Sequence, residues 1–539
     1  MRRIVSTCDV GIVLVSILIG TVLITGVDSV TLWGHRISSH RLENPVILLG
    51  LFLFFRFIGT DQKQWDGFLT RISGWTTVIG LWSLFLAVHF YFSWTQHQVA
   101  ATTLYDLGIF DQIMYNHLHG RFFESSVEGT HFLGVHFSPI LFPLTLLYLT
   151  VPHPEALLLF QVVIVSSGVI PTYHIAMNLL KDPKKATFFA YAFFLYPGLG
   201  YVLQFDFHPV VLSIPLMLWA YLFYLRERPF PLAVCLALSL SCKEEIGLVV
   251  LTWGLCVWFL DRRPRWGAPL FLVGSVYSIL VLFFIIPYFA GADQTRFVNR
   301  YEHLGQDLFS IARFIAFHPV EAIRLSFEGQ KIQNLLGHFL PYGFTSFLGY
   351  TVLPVCLPTG LLSFFSLSVY QSSIKTHYGA SMYPFLLVGS ILGVRLFLNK
   401  LPVHAKFPPA RILFSLLFIL VFITGMRPYL IPLRDHPFTP RIEPTLLADL
   451  KSRISEQDSL SITNVPGSHF SQRKNLVHFP TTQIQGKDVD KILVYFEDRL
   501  IKGSWEHTDQ IISKLIAKRG YRQILKTDSI LLLEKTGNP

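Results

Sequence analysis

The chain has 539 residues, of which 52% are hydrophobic and 14% are charged, and its formal net charge is +10. Because soluble domains carry about a quarter charged residues, this composition excludes an ordinary soluble protein and indicates an integral membrane protein. Most of the basic residues lie in short loops between apolar runs, where they set the orientation of a chain in the bilayer. We therefore expect a lipid bilayer as partner and no nucleic acid.

The first apolar run follows Met1-Arg2-Arg3 and has no small-residue cleavage site after it. This pattern indicates an uncleaved first helix with a cytoplasmic N-terminus. Further apolar runs predict a polytopic α-helical membrane domain over residues 1–430, with about thirteen membrane-spanning helices. The predicted spans lie near 10–27, 45–59, 74–95, 155–178, 186–203, 209–225, 230–242, 246–260, 266–289, 331–347, 350–369, 378–398 and 410–426.

The stretch 230–260 is too long for one span, and Lys243-Glu244-Glu245 lies near its centre. Two short helices joined at this triplet keep both basic flanks on the cytoplasmic side, so we predict a hairpin with the triplet on the outer side. The polar insert (residues 96–154), the turn 204–209 and the loop 290–330 then face outward as well. Within the insert, the apolar stretch 140–151 is too short to span and predicts an interfacial or re-entrant helix.

From about Asp435 the composition becomes that of a soluble domain. Runs rich in β-branched and aromatic residues near 460–463, 476–479, 492–496 and 530–533 predict strands, and 443–454 and 507–519 predict helices. Roughly a hundred residues are enough for a small domain with its own core. We therefore predict a small α/β extracytoplasmic domain at 435–539.

Two carboxylates, Asp106 and Asp111, lie in the insert. A carboxylate beside a membrane cavity acts as general base on a hydroxyl or as ligand for a divalent cation such as Mg²⁺ or Mn²⁺. The alternative is that one of them caps a helix, which suits Asp106 because an apolar run follows it. Both are candidate catalytic residues, and Asp111 is favoured when each is considered alone.

The turn Asp206-Phe207-His208-Pro209 combines a carboxylate with an imidazole. Alternate residues of an extended segment point the same way, so Asp206 and His208 are candidate ligands of one metal ion or contacts for one phosphate. An ordinary interfacial loop in which Asp206 caps the next helix is the alternative.

Lys243 beside Glu244 and Glu245 either forms a self-neutralising turn or holds a lipid phosphate at the rim of a cavity. Arg296 and Arg300, in the loop 290–330, have the same two interpretations, as phosphate contacts or as solvated surface charges.

The pair His377-Tyr378 opens a predicted span and also fits an interfacial aromatic belt. In the C-terminal domain, Ser468-His469-Phe470-Ser471-Gln472-Arg473 lies between two predicted strands. No acid is near enough in sequence to indicate a Ser-His-acid triad, so we interpret this segment as a binding loop.

These motifs together resemble a family of bacterial and archaeal integral membrane proteins known as domain of unknown function 2079. The matching segments are 106–112, 134–139, Gln161, 205–209, 243–245, 300–305, 377–378, and, in the C-terminal domain, 471–473 with Phe479-Pro480. The resemblance implies a set of candidate substrate-binding residues, namely His136, Lys243, Glu244, Arg300, Tyr301, His377 and Tyr378.

That family is distantly similar to the GT-C glycosyltransferases, such as protein mannosyltransferases and the aminoarabinose transferase of lipid A. The resemblance implies an acidic residue in the first large outer loop, a polyprenyl-phosphate sugar donor and a soluble outer domain after the last helix. Carried over to this sequence, Asp106 or Asp111 matches the acidic position, and Lys243 or Arg300 would contact the phosphate.

The predicted function is a glycosyltransferase of the cytoplasmic (inner) membrane. It would move a sugar from a polyprenyl-phosphate donor to an extracytoplasmic lipid, glycan or protein. A transporter or flippase of a lipid-linked or small polar substrate is the main alternative, although no matching inverted halves are visible in the sequence. A non-catalytic scaffold is a third. The sugar, the acceptor and the oligomeric state stay open.

Overall fold

The structure, a computed structural model, describes residues 2–25, 29–32, 35–38, 43–291, 298–401, 409–434, 439–498, 500 and 505–536. It is mostly helical, with a small sheet near the C-terminus. Apolar segments favour helices in a membrane because a helix satisfies its own backbone hydrogen bonds.

The helices up to the C-terminal domain are numbered in chain order. They are α1 (Arg2–Thr25), α2 (Glu43–Gly59), α3 (Gln62–Arg71), α4 (Trp75–Gln98), α5 (Ile109–Leu118), α6 (Leu141–Tyr148), α7 (Pro154–Ser166), α8 (Val169–Leu180), α9 (Pro183–Phe194), α10 (Pro197–Leu203), α11 (Ser213–Leu225), α12 (Pro229–Leu240), α13 (Ile246–Leu255), α14 (Pro264–Leu280), α15 (Ile286–Ala290), α16 (Leu308–Phe317), α17 (Pro319–Ser326), α18 (Gly329–Phe339), α19 (Leu357–Phe365), α20 (Tyr383–Asn399) and α21 (Pro409–Arg434).

Fewer helices than expected are long enough to cross a membrane. Within the described residues five helical stretches have the length and apolarity of a span, and a sixth is the α9–α10 pair, bent by 45°. The five are Trp75–Gln98, Pro154–Leu180, Pro264–Ala290, Val369–Asn399 and Pro409–Tyr429. Most of the other predicted spans are apolar helices of 10–17 residues. The expectation of about thirteen spans is therefore supported only in part.

The predicted span 331–347 is wrong. Helix α18 ends at Phe339 and is followed by the 3₁₀ turns Leu340–Tyr342 and Thr345–Leu348. Pro341 cannot continue the hydrogen-bond ladder of a helix, and Gly343 adopts a left-handed conformation with φ of 54°. These two residues end the helix that the apolar composition alone would have extended.

Two local predictions are confirmed for the helices themselves, while their placement relative to the membrane stays a prediction. The stretch 230–260 forms two helices, α12 and α13, with Lys243, Glu244 and Glu245 in the turn that joins them. The stretch 140–151 forms the short helix α6. The insert lies against the hairpin, because the Ile140 amide donates to the Ser241 carbonyl and the Ser138 hydroxyl donates to the Cys242 carbonyl.

The C-terminal domain contains a five-stranded mixed sheet. Its strands are β5 (Leu460–Ile462), β6 (Leu476–His478), β9 (Lys491–Tyr495), β10 (Tyr521–Lys526) and β11 (Ile530–Lys535), in the order β10-β11-β9-β5-β6. The described two-stranded hairpins are β1 (Ser29–Leu32) with β2 (His35–Ser38), β3 (Glu124–Ser125) with β4 (Thr130–His131), and β7 (Gln483–Ile484) with β8 (Lys487–Asp488).

Alternating apolar residues bury both faces of the five-stranded sheet. Leu493 and Leu532 face helix α22 (Pro444–Arg453), whereas Ile492 and Leu531 face helix α24 (Trp505–Lys518) on the opposite side. A short helix, α23 (Asn464–Gly467), follows β5. The four predicted strands are confirmed, but β10 was missed because its sequence, YRQILK, is largely polar.

The hairpin that carries Lys243 is held in place by close packing between α13 and α14. A Cβ atom at Gly274 would lie 2.3 Å from the Leu251 backbone nitrogen, and one at Gly254 would lie 2.2 Å from that of Phe271. Neither backbone can approach so closely if a side chain stands between them.

We expect Gly274→Ala to separate these helices and to destabilise the protein by about 1–3 kcal/mol, the usual cost of overpacking. The matched control is Gly80→Ala in α4, where an added Cβ has no neighbour within 4 Å. Thermal unfolding of the two purified variants in detergent, followed by tryptophan fluorescence, measures the difference. Equal midpoints would show that the α13–α14 contact is not tight.

Candidate functional site

The insert and the turn after α10 meet at a carboxylate–imidazole pair. Asp106 lies in the π-helical turn Leu104–Gly108, and its Oδ1 is 2.9 Å from Nε2 of His208. The other ring nitrogen, Nδ1, lies 3.0 Å from the Asp206 carbonyl oxygen. A carbonyl only accepts, so Nδ1 carries a hydrogen and a single proton is shared between Nε2 and Asp106. The pair can take up or release that proton without moving.

Asp206 fixes the geometry of this pair. Its Oδ2 accepts hydrogen bonds from the Thr103 amide at 2.9 Å and the Thr103 hydroxyl at 2.6 Å, and Thr103 directly precedes the Asp106 turn. Burial and the neighbouring Asp106 carboxylate raise the pKa of Asp206 to about 7. The protonated form of Asp206 is therefore favoured beside a second carboxylate.

The His208 ring leads towards a second group of side chains. It stacks on His377 with 3.6 Å between ring centroids, and on Phe205 at 5.5 Å. Nδ1 of His377 is buried and has no hydrogen-bond partner in the described part of the chain. Tyr378 follows, with its ring centroid 4.2 Å from that of His377.

Two cations converge on Tyr378. Nζ of Lys243 lies 5.5 Å and Cζ of Arg300 5.2 Å from the centre of its ring, both within the range of cation–π attraction. Lys243 also forms an ion pair of 3.1 Å with Glu245. Burial opposes the charge of Lys243, but Glu245 and Glu244 more than offset it, so the pKa of the lysine is raised and it stays positive.

Arg300 is held by the segment before α20. Its Nη1 donates to Gln371 at 3.4 Å, and the Gln371 amide donates to the hydroxyl of Tyr301 at 3.1 Å. Tyr301 therefore supports the position of Arg300 rather than standing beside Lys243. Arg296, the other arginine that the sequence indicated, lies outside the described residues.

Glu244 fastens the insert to the hairpin. Its Oε1 lies 3.0 Å from Nδ1 of His136, and its Oε2 accepts from the Phe137 amide at 3.1 Å. Burial works against the charge, but His136 and Lys243 outweigh it and lower the pKa of Glu244. Glu244 and His136 thus form a hydrogen-bonded pair at the edge of the site.

The structure brings most of the predicted site residues into one group, which we call the Asp106 cluster. It joins the insert, the turn after α10, the α12–α13 hairpin, the loop before α16 and the start of the helical stretch 369–399. Its members are Asp106, Asp206, His208, Lys243, Arg300, His377 and Tyr378.

Asp111 belongs to a different network. It is fully buried, and its carboxylate accepts hydrogen bonds from the hydroxyls of Tyr148 and Ser471, the latter at 2.6 Å. Ser471 lies in the C-terminal domain, so Asp111 connects that domain to the insert. None of its hydrogen bonds within the described chain reaches the Asp106 cluster.

Three of the four candidate ligand atoms of Asp206 and His208 are already engaged in hydrogen bonds. Both His208 nitrogens have partners, and Oδ2 of Asp206 takes two hydrogen bonds from Thr103. Across the described residues, no group of three or more His, Cys, Asp or Glu side chains is arranged to hold a metal ion. A divalent metal stays a prediction, and the chemistry proposed below does not pass through one.

Sequence analysis missed several residues that position the cluster. Oε1 of Gln161 accepts from the His208 amide at 2.9 Å, and Oδ1 of Asn464 accepts from the Tyr105 amide at 3.0 Å. Thr103 was also not assigned a role, whereas the pairing of Lys243 with Glu245 agrees with the self-neutralising turn that the sequence offered. The family resemblance included Gln161 and so offered one signal, whereas nothing in the local spacing connects Asn464 to a residue 359 positions away.

Comparison with known proteins confirms the resemblance that the motifs indicated. Residues 96–532 match the family described as "Predicted membrane protein (DUF2079)". Two crystal structures of ArnT from Cupriavidus metallidurans are similar to this chain. The one bound to undecaprenyl phosphate is 14% identical with a TM-score of 0.49, over 85% of this chain and 98% of that chain. The apo structure is 13% identical with a TM-score of 0.48, over 84% of this chain and 98% of that chain. No functionally curated protein matches the sequence.

The burial of Asp111 predicts a specific pH dependence of stability. Burial raises its pKa to about 6, while the unfolded chain titrates near the ordinary value of about 4. The folded protein binds the proton more tightly, so the contribution of Asp111 is fully present below about pH 4 and is lost as the pH rises through about 6. Two pKa units correspond to about 3 kcal/mol.

Asp111→Asn removes this titration while keeping the size of the side chain. We expect the stability of the wild type relative to Asp111→Asn to fall by up to about 3 kcal/mol between pH 4 and pH 7. Thermal unfolding midpoints of both proteins across this range provide the measurement, since other titrating groups cancel in the difference. A pH-independent difference would show that Asp111 does not carry a raised pKa.

Proposed function

The chain belongs to the DUF2079 family of predicted membrane proteins, and we propose that it is a membrane glycosyltransferase of GT-C type using a polyprenyl-phosphate sugar donor. The observation that carries this proposal is the Asp106 cluster. A carboxylate–imidazole pair stands at one end, two cations stand at the other, and the stacked rings of His208, His377 and Tyr378 connect them.

Asp106 is the proposed general base. Its side chain is 28% exposed, its Oδ1 is held by His208, and Oδ2 makes no hydrogen bond within the described chain. An acceptor hydroxyl would attack the anomeric carbon of the sugar and pass its proton to Asp106. The new bond joins the acceptor oxygen to that carbon, while the bond from the carbon to the phosphate oxygen breaks. The transferred proton goes to Oδ2, and the proton already held between Oδ1 and Nε2 can then move onto His208, which limits the charge change.

Lys243 and Arg300 are the proposed contacts for the departing polyprenyl phosphate. The phosphate gains negative charge as the sugar leaves, and fixed cations lower the energy of that state more than the energy of the bound donor. Lys243 is held by Glu245, whose Oε1 accepts from the Ser381 hydroxyl at 3.2 Å. Its position is therefore set before the donor binds.

The proposed donor also needs a place for its hydrocarbon chain. The chain is a membrane protein with several apolar helices, and the cluster adjoins two stretches with the length and apolarity of a span, Pro264–Ala290 and Val369–Asn399. A lipid-linked donor would keep its chain in the bilayer and bring its phosphate to the cluster. We propose that this site and the C-terminal domain face the extracytoplasmic side of the cytoplasmic membrane, as the loop charges predict.

The test of the base compares Asp106→Asn with the wild type. Loss of a general base lowers the rate by about 10²- to 10⁴-fold. Transfer of labelled sugar from a panel of polyprenyl-phosphate donors to membrane lipids provides the measurement, with exposed Asp528→Asn as the matched control. Wild-type turnover by Asp106→Asn would remove the proposed base, and a loss confined to Asp111→Asn would assign that role to Asp111.

Movement of donor across proteoliposome membranes with no glycosylated product would favour a flippase.

The test of the phosphate contacts uses Lys243→Gln and Arg300→Gln. A hydrogen bond to a charged group contributes about 1.5–3 kcal/mol, so each variant should lower kcat/KM for the donor by about tenfold or more. Arg313→Gln, an exposed charge in α16, is the control and should leave kcat/KM unchanged. Steady-state kinetics with a water-soluble short-chain donor provide the measurement. An unchanged kcat/KM in both variants would show that these cations do not stabilise the departing phosphate.

A further inference from the structure

A second polar cavity lies between the C-terminal domain and the ends of α4 and α7. Its volume is about 250 Å³, and its lining shares no residue with the Asp106 cluster. The loop Ser468–Arg473, which sequence analysis indicated as a binding loop, forms one wall. The ionisable groups that face the cavity are His97, His153, Glu155, Lys451, Glu456, His469 and Arg473.

His469 is the first observation that points to a ligand. Its ring stacks on that of His97 with 4.1 Å between centroids. Both ring nitrogens are buried, no side chain in the described part of the chain hydrogen-bonds to them, and the His97 backbone can satisfy at most one of them. At least one buried ring nitrogen is therefore left without a partner, which costs about 1–3 kcal/mol and is uncommon in folded proteins. An imidazole in this state at the wall of a cavity is suited to bind a polar group that enters it.

Arg473 is the second observation. Its guanidinium is buried and donates to the carbonyl oxygens of Phe470 at 2.7 Å, Ser455 at 2.9 Å and Asp458 at 3.1 Å. Carbonyl oxygens satisfy its N–H groups but carry no net charge, and burial lowers the pKa of Arg473 to about 10. The cation is therefore desolvated, and an anion in the cavity would stabilise it.

The other charges around the cavity are arranged on two sides. Lys451, near the end of α22, adds a second cation, and the amino-terminal end of α7, which begins at Pro154, adds partial positive charge. Glu155 accepts from the Gln98 amide at 3.1 Å and lies 3.7 Å from Nε2 of His97, so hydrogen-bond donors hold its carboxylate on the α4 side of the cavity. Lys451 and Glu456 are both exposed to solvent, which screens their charges. Arg473 is the buried charge among these groups and acts most strongly on a ligand in the cavity.

We propose that this cavity binds a phosphate-type oxyanion through Lys451, His469 and Arg473. The oxyanion belongs either to a soluble phosphorylated molecule or to an anionic lipid headgroup. This site is separate from the proposed transferase centre, and its existence does not depend on that function.

Binding here would also tighten the contact between the C-terminal domain and the insert. Ser468 hydrogen-bonds to Thr102 at 2.8 Å, and Thr102 hydrogen-bonds to His97 at 2.8 Å, so one wall of the cavity is continuous with the start of the Asp106 turn. An anion held between Arg473 and α7 would connect the same two parts of the chain. We therefore expect the ligand to raise thermal stability as well as to bind.

The experiment measures binding of inorganic phosphate to the full-length protein in a zwitterionic detergent by calorimetry and by thermal shift. We expect saturable binding that His469→Phe and Lys451→Gln each weaken about tenfold, since each removes a hydrogen bond to a charged group. His469→Phe keeps the stacking on His97, so the fold is preserved. Lys514→Gln is the control, because α24 lies on the opposite face of the sheet from α22 and should leave the affinity unchanged.

Nanodiscs distinguish the two possible sources of the oxyanion, a lipid headgroup and a soluble phosphorylated molecule. If the site takes a lipid headgroup, phosphatidic acid in a phosphatidylcholine bilayer should stabilise the wild type but not His469→Phe, and should compete with free phosphate. If the site takes a soluble anion, free phosphate should stabilise the wild type but not His469→Phe, and phosphatidic acid should stabilise neither. The proposal is overturned if neither probe binds saturably, or if His469→Phe and Lys451→Gln bind as the wild type does.

Discussion

The candidate site depends on the hydrogen bonds between Asp206 and Thr103. Oδ2 of Asp206 accepts from both the amide and the hydroxyl of Thr103, which joins the turn after α10 to the start of the Asp106 turn. An unpaired carboxylate in a site of low polarity is strongly disfavoured. This pairing offsets part of that cost and sets the position of Asp106. Gln161 holds the same turn from α7 through the His208 amide.

The C-terminal domain closes on the Asp106 turn from the other side. Asn464 accepts from the Tyr105 amide, and a Cβ atom at Gly467 would lie 2.4 Å from the Cβ of Leu104, so only glycine permits this contact. Asp111 adds its hydrogen bond from Ser471 a short distance along α5. Asp106 and Asp111, although close in sequence, therefore lie in different environments. Asp111 is buried and fastens the domain, while Asp106 is partly exposed and faces His208.

The sequence predicted those parts of the fold that depend on local pattern. Charge placement identified the hairpin around Lys243, and alternation of apolar residues identified β5, β6, β9 and β11. The prediction failed where a single residue ends a helix, as Pro341 does after α18, and where a strand such as β10 has many polar residues. The full burial of Asp111 and the partial exposure of Asp106 could not be inferred from spacing either. The partners of both carboxylates come from segments more than a hundred positions away, such as His208 and Ser471.

The arrangement of charges in the Asp106 cluster bears on how one site could hold both a base and a phosphate. If Lys243 were paired directly with Asp106, the attraction would lower the pKa of the carboxylate and make it a weak base. Instead Lys243 is paired with Glu245, Glu244 is paired with His136, and the rings of His208 and His377 stand between the cations and Asp106. The partner of Asp106 is an imidazole, which can return a proton as well as hold one. Glu245 and Glu244 therefore neutralise part of the positive charge of the hairpin, and the cations lie at the end of the cluster away from Asp106.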